Sequence, residues 1–142
     1  MKIDLTTSPS PDDAAFISKG LVQFNHQQVP ALESEKAAQK LSVFARDENN
    51  EITGGLRAVC FWNTLHVELL WVTESFRSRG IGGHLLSKAE SFALDNGYEL
   101  ALLESTSWQA RIFYEKQGYK LMGTLPDYPK GHATHFLVKT LI

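Results

Sequence analysis

The spacing of apolar positions changes several times along the chain, and each change marks an element. Lys2 to Thr7 alternates with a period of two, as a strand does. Ser10-Pro11-Asp12-Asp13 then starts a helix, with a capping hydroxyl, proline in the first turn and acids near the positive helix end. That helix carries Ala15, Phe16, Leu21, Val22 and Phe24 and fades between Asn25 and Pro30. Ala31 to Lys40 predicts a second, short helix. Leu41 to Arg46 reads as a strand, Asp47-Glu48-Asn49-Asn50 as a polar turn, and Glu51 to Trp62 as a longer strand. Ile52, Gly54, Leu56, Ala58, Cys60 and Trp62 fall on one face of it.

Asn63-Thr64 turns the chain into an apolar strand, Leu65 to Val72. A glycine-rich turn follows, then a helical stripe of Ile81, Leu85, Ala89, Phe92 and Ala93 that stops at Asn96-Gly97. Tyr98 to Glu104 predicts another strand. Ser105-Thr106-Ser107 can cap a helix carrying Ala110, Phe113 and Tyr114 and ending at Gly118. Tyr119 to Leu125 and His135 to Leu141 are two closing strands, joined by the loop from Pro126 to His132. The order β-α-α-β-β-β-α-β-α-β-β predicts an α/β (α+β) fold with a mixed sheet. No repeat, linker or low-complexity segment divides it, so 1–142 is expected to be a single domain.

Composition narrows the function classes. A chain of 142 residues with 43% hydrophobic content can bury a real core. A net charge of −2 gives no general pull toward nucleic acid, so none is expected as a partner and any anion site must be local. The one cysteine, Cys60, excludes an internal disulfide, suits a reducing compartment and reads as a core filler. No apolar run reaches the length of a membrane span, and Met1-Lys2-Ile3-Asp4-Leu5 lacks the apolar stretch of a signal peptide. A cytoplasmic location with no membrane partner is the expectation.

The chemistry concentrates in Val72-Thr73-Glu74-Ser75-Phe76-Arg77-Ser78-Arg79-Gly80-Ile81-Gly82-Gly83-His84. A strand runs into a glycine turn flanked by arginines, and a helix starts without a spacer. Such a turn can aim consecutive backbone N–H groups and the positive helix end at a phosphate. No Gly-Lys-Ser/Thr follows, so it is not a Walker loop, and it lacks the dinucleotide fingerprint. The pattern Arg77-x-x-Gly80-x-Gly82 resembles the acetyl-CoA pyrophosphate loop of the GNAT superfamily of N-acetyltransferases. Ser107-Trp108-Gln109-Ala110 through Phe113-Tyr114 to Gly118-Tyr119 resembles that family's second signature, Asn-x-x-Ala-x-x-Phe-Tyr-x-x-x-Gly-aromatic. With Asp127-Tyr128-Pro129-x-Gly131-His132 it is similar to a bacterial subgroup whose members mostly lack a defined substrate. Ser107 departs from the pattern, standing where many members have an asparagine that contacts the pantetheine arm.

The resemblance implies a GNAT-like sheet of about six to seven strands with about four flanking helices, the parallel strands splaying near Val72 and Glu104. It implies acetyl-CoA as co-substrate and no metal. The pyrophosphate would be held by main chain from Ser78 through Gly80, Ile81, Gly82 and Gly83 to His84, with Arg77 and Arg79 as charge partners, and Ser107 would stand at the pantetheine arm. Backbone in Leu70-Trp71-Val72 would polarise the thioester carbonyl, a fixed donor that needs no reorganisation. Tyr114 matches the family's general acid toward the departing thiolate.

The attacking amine must be neutral, and with a lysine-like pKa of about 10.4 it is almost wholly protonated at pH 7. Period two puts His66, Glu68 and Leu70 on one strand face, so Glu68 and His66 both qualify as the base, directly or through water. The acceptor is expected to be an amine of a small molecule or peptide, with Trp71, Trp108, Asp127, Tyr128 and His132 as candidate lining residues. A homodimer is left open. A CoA-binding sensor or interaction module without turnover is the rival reading, which Tyr114 and the intact loop argue against. A toxin acetylating charged transfer RNA would need a basic surface, which the net charge disfavours.

Overall fold

The computed structural model describes residues 1–33 and 37–142, which fall in two compact units, residues 1–34 and 35–142. The first unit contains one helix, α1 (Pro11–Gln28). Ser10 caps it as expected, its hydroxyl accepting from the Asp13 N–H at 3.1 Å, with Asp12 and Asp13 in the first turn. Residues 2–7 form no strand. The expected helix from Ala31 to Lys40 has its centre, residues 34–36, outside the described residues, and its last two positions open a strand instead.

The second unit is a six-stranded sheet with two helices. Its strands are β1 (Gln39–Arg46), β2 (Ile52–Phe61), β3 (Thr64–Val72), β4 (Leu100–Thr106), β5 (Lys120–Pro126) and β6 (Ala133–Thr140). Helix α2 (Ile81–Asp95) joins β3 to β4, and α3 (Arg111–Lys116) joins β4 to β5. Spatial order is β1-β2-β3-β4-β6-β5, antiparallel throughout except for β3 and β4, which run parallel. The mixed architecture is the one expected, with six strands and, among the described residues, three α-helices.

One face of the sheet is packed. Leu56, Ala58 and Cys60 of β2, Leu65 and Val67 of β3, Ala101 and Leu103 of β4, and Leu137 of β6 meet Leu85, Leu86, Ala89 and Ala93 of α2. Each leucine so buried contributes about 1.5–3 kcal/mol. Cys60 is wholly buried, whereas Ile52 and Trp62, expected on the same face, stand about half exposed where β2 ends. Polar groups close the far edge of this core. Glu90 of α2 accepts from the Tyr119 hydroxyl at 2.8 Å and from Lys139 Nζ at 2.8 Å, tying the helix to the β5–β6 end of the sheet.

Two local departures shape the site. Arg57 pairs with Leu69 and Ala58 with Val67, so Glu68 is an extra residue, a β-bulge, in β3. Ser105 and Thr106, expected to cap α3, instead extend β4 opposite His135 and Thr134. Helix α3 therefore starts later, after Ala110, with no side-chain cap.

Candidate active site

The parallel pair comes apart. β3 and β4 pair from Thr64↔Leu100 to Val67↔Leu103 and no further, so the splay expected near Val72 and Glu104 begins at Val67. The bulge at Glu68 explains part of it. An inserted residue shifts the following backbone out of ladder register and leaves main-chain groups on β3 without a β4 partner.

The bulge also changes which side chains share a face. Leu70 pairs with Leu56 and packs with Val72 on the core, on the same side as Leu65 and Val67. His66 and Glu68 lie on the opposite side, His66 opposite Val59 and Glu68 beside Arg57. The simple alternation that grouped Leu70 with His66 and Glu68 fails at one residue.

A first cavity of about 960 Å³ opens at the start of α2. The 3-10 turn Glu74–Phe76 leads into Ser78 and Gly80, both with positive φ (63° and 80°), so the chain enters the helix through left-handed backbone. Gly80 is the helix N-cap and has no side chain to give. The N–H groups of Ile81, Gly82 and Gly83 thus lie before the first helical bond, which His84 makes to the Gly80 carbonyl at 3.1 Å. Arg77, Ser78, Gly80, Ile81, Gly82, Gly83 and His84 all line the cavity, with Leu70, Trp71 and Val72 on its strand side. These donors at a helix N-terminus fit an anionic group such as a pyrophosphate.

Phe76, Ser87, Ala110, Phe113 and Gln117 complete this wall, and the sequence reading assigned none of them to a site. Phe113 and Gln117 had a legible signal, since helical spacing of four puts them on one face of α3. A Cβ at Gly82 would come to 3.2 Å from Phe113 Cζ, and one at Gly83 to 3.4 Å from Gln117 Oε1. Both glycines therefore let α2 and α3 approach each other as well as admitting a ligand.

A second cavity, about 510 Å³, occupies the gap between the splayed strands. Glu68, Leu69, Glu104, Trp108 and Gln109 belong to it alone, while Leu70, Trp71, Val72, Arg77, Ala110 and Tyr114 line both cavities. Tyr114 is thus at the junction. Its ring packs edge-on against Phe113 and Tyr119, with centroids 5.1 and 5.9 Å away, and is only 9% exposed. Burial pushes its phenol above the ordinary tyrosine pKa, so it remains a hydroxyl donor at neutral pH.

Three of the residues expected to hold the co-substrate or act as base lie outside both linings. His66 precedes the gap, where the strands are still paired, and stacks flat on Phe61 at 4.1 Å between centroids. Partial burial lowers its pKa below the usual imidazole value. Arg79 lays its guanidinium over the Phe76 ring at 4.8 Å, and Arg77 instead reaches the gap, its Nε donating to the Val72 carbonyl at 2.9 Å. Ser107 accepts from the Ala133 N–H at 3.3 Å and contacts His132 Nδ1 at 3.4 Å, which holds its hydroxyl toward the β6 loop. Of the candidate acceptor residues, Trp71 and Trp108 line the second cavity. Asp127 and Tyr128 do not, and His132 touches it only through an edge contact with Trp108 at 4.9 Å.

Among the described residues no three His, Cys, Asp or Glu side chains cluster as a metal site would require. No helix of these residues is long and apolar enough to cross a membrane.

Residues 39–121, more than half of the chain, match the acetyltransferase (GNAT) domain family. The chain is 36% identical to the blasticidin-S acetyltransferase of Streptomyces morookaense over 116 residues, 81% of this chain and 85% of that protein. An acetyltransferase structure from Bacillus cereus superposes with a TM-score of 0.83 at 31% identity, over 96% of this chain and 97% of its own. An aminoglycoside 6'-N-acetyltransferase solved with coenzyme A shares the fold, with a TM-score of 0.66 at 19% identity over 100% of this chain and 98% of that one. With the domain match and a relative of this identity agreeing with the geometry, the chain belongs to the GNAT superfamily and is an acetyltransferase.

Proposed function

We propose that the protein moves an acetyl group from acetyl-CoA to a primary amine of a small molecule, by direct attack in a ternary complex. The observation that carries this reading is the pair of cavities that meet at Tyr114. A thioester donor entering from the α2 side and an amine entering through the strand gap would meet there. Cys60, the one cysteine, is fully buried in the core and cannot relay the acetyl group. The small-molecule acceptor follows the relative named for acetylating blasticidin S.

Each residue then has a task. The N–H groups of Ile81, Gly82 and Gly83 hold the pyrophosphate, with Arg77 adding charge. Unpaired main chain between Leu70 and Val72 donates to the thioester oxygen as negative charge develops there. Glu68 takes the proton of the attacking nitrogen, directly or through water. Tyr114 donates its hydroxyl proton, or a hydrogen bond, to the departing thiolate. His66 has no part in the reaction.

Release of free CoA from acetyl-CoA, across a panel of small amines, amino acids, peptides and blasticidin S, tests the reading. Turnover with a small amine and intersecting double-reciprocal plots are expected. Hydrolysis of acetyl-CoA alone would defeat the assignment, and parallel plots would defeat direct attack.

A further inference from the structure

Glu104 is the residue whose position the reaction leaves unexplained. It stands on β4 one residue past the last pair with β3, opposite Phe136 of β6, and it lines the gap cavity. No ion pair or side-chain hydrogen bond reaches its carboxylate among the described residues. The other carboxylate of that lining, Glu68, has Arg57 within 3.8 Å and a task in the reaction. Arg77 is the basic side chain of the same lining, and its Nε is already bonded to the Val72 carbonyl. The rest of the lining carries no charge: the indoles of Trp71 and Trp108, the polar side chains of Gln109 and Tyr114, and aliphatic residues.

An acceptor that fills this gap displaces water from Glu104. A carboxylate that loses water without gaining a partner is penalised, and here it would also face the negative charge developing on the thiolate. An acceptor with one amine makes this worse, because that nitrogen must be neutral to attack and so cannot compensate Glu104. An acceptor with a second nitrogen that stays protonated at neutral pH removes the penalty. Trp71 and Trp108, each more than half exposed, offer ring faces that favour a cation in the same place.

We infer that Glu104 is a specificity-determining residue of the acceptor pocket, and that the acceptor class is a small amine bearing a second cationic group, such as an ammonium or guanidinium. This rests on the acetyl-transfer reading above and names the substrate class of that same site.

The test compares propylamine, 1,3-diaminopropane and agmatine as acceptors for the full-length wild type and Glu104→Gln, with acetyl-CoA affinity measured separately. The variant should lose about fivefold to twentyfold in kcat/KM with the two dications, the range of a charge-assisted hydrogen bond partly open to solvent. Propylamine should be unaffected or improved, and acetyl-CoA should bind both proteins alike. Glu104→Asp should recover part of the preference for dications. An equal loss with all three amines, or a weakened acetyl-CoA affinity, would overturn the assignment of Glu104. Wild-type preference for propylamine would overturn the substrate class. A wild type inert toward every amine would instead remove the acetyl-transfer reading on which both depend.

Discussion

On the α2 side of the strand gap three of the lining residues are glycines, which can present only main chain. Gly80, Gly82 and Gly83 offer backbone there, and Ile81 contributes its N–H. On the far side the wall is side chain: Glu68, Glu104, Trp71 and Trp108. A site made of backbone reads a group by shape and charge and tolerates few substitutions that add bulk. A site made of side chains can be re-specified one residue at a time. On the proposed reading, the first suits a donor that never changes and the second an acceptor that does.

The largest expected effect falls where the two walls meet. Tyr114→Phe removes one hydroxyl and keeps the ring contacts with Phe113 and Tyr119. Turnover should fall about a hundredfold, the scale of general-acid catalysis, with acetyl-CoA affinity unchanged. Because burial holds the phenol protonated, no loss of activity should track a tyrosine titration near pH 10. A variant with wild-type kcat, under conditions where chemistry limits the rate, would take Tyr114 out of the mechanism.

Next comes the backbone wall itself. At Gly82 even a single Cβ would crowd Phe113, at 3.2 Å, and valine adds two methyls beyond that. Overpacking of this kind costs about 1–3 kcal/mol, so Gly82→Val should weaken CoA binding about tenfold to a hundredfold. Phe113→Ala should restore part of the affinity by making room. If CoA bound Gly82→Val as it binds wild type, the contrast between a backbone site and a side-chain site would collapse.

On the side-chain wall, Glu68→Gln should slow turnover about tenfold near neutral pH, within the range for a lost general base, and leave acetyl-CoA binding alone. The defect should shrink as pH rises, since more of the acceptor is then already neutral. Rates measured from pH 6.5 to 9.5 check this. A ratio of wild type to variant that stays constant across that range would show the carboxylate acting on something other than the proton.

The same contrast governs what the sequence could reveal. Glycines and arginines between Arg77 and Gly83 encode local backbone geometry, so a strand-to-helix turn that lines a cavity was readable from a few consecutive residues. The place of Tyr114 on α3 was readable because its neighbours form one short motif. The bulge at Glu68 was not, since it exists only in the pairing with Arg57 and Ala58, eleven and ten residues earlier in the chain. A reading by strict alternation therefore put Leu70 on the wrong face. Ser105 and Thr106 misled for a related reason. Their capping chemistry is local, but pairing with β6 outweighs it. Glu104 entered only as a place where the strands splay, because a single acid on a strand becomes informative about an acceptor only once the neighbouring strand has departed.

The smallest effect separates the two residues that strand periodicity made equal candidates. His66 lies where β3 and β4 are still paired, so His66→Gln should leave kcat within about twofold of wild type, as for a surface change away from the reacting groups. Its trace should appear in stability instead. Burial lowers the folded-state pKa of His66 below 6.5, while in the unfolded chain it stays near that value. As pH falls through 6.5 the unfolded state takes up a proton before the folded state does, so stability declines until the folded pKa is also passed. Above pH 7 the group is neutral in both states and contributes no slope. Urea midpoints at pH 7.5 and pH 5.5 should therefore differ less in His66→Gln than in wild type. A kcat defect that follows an imidazole titration would reverse the assignment, making His66 the base and reducing Glu68 to a charge beside Arg57.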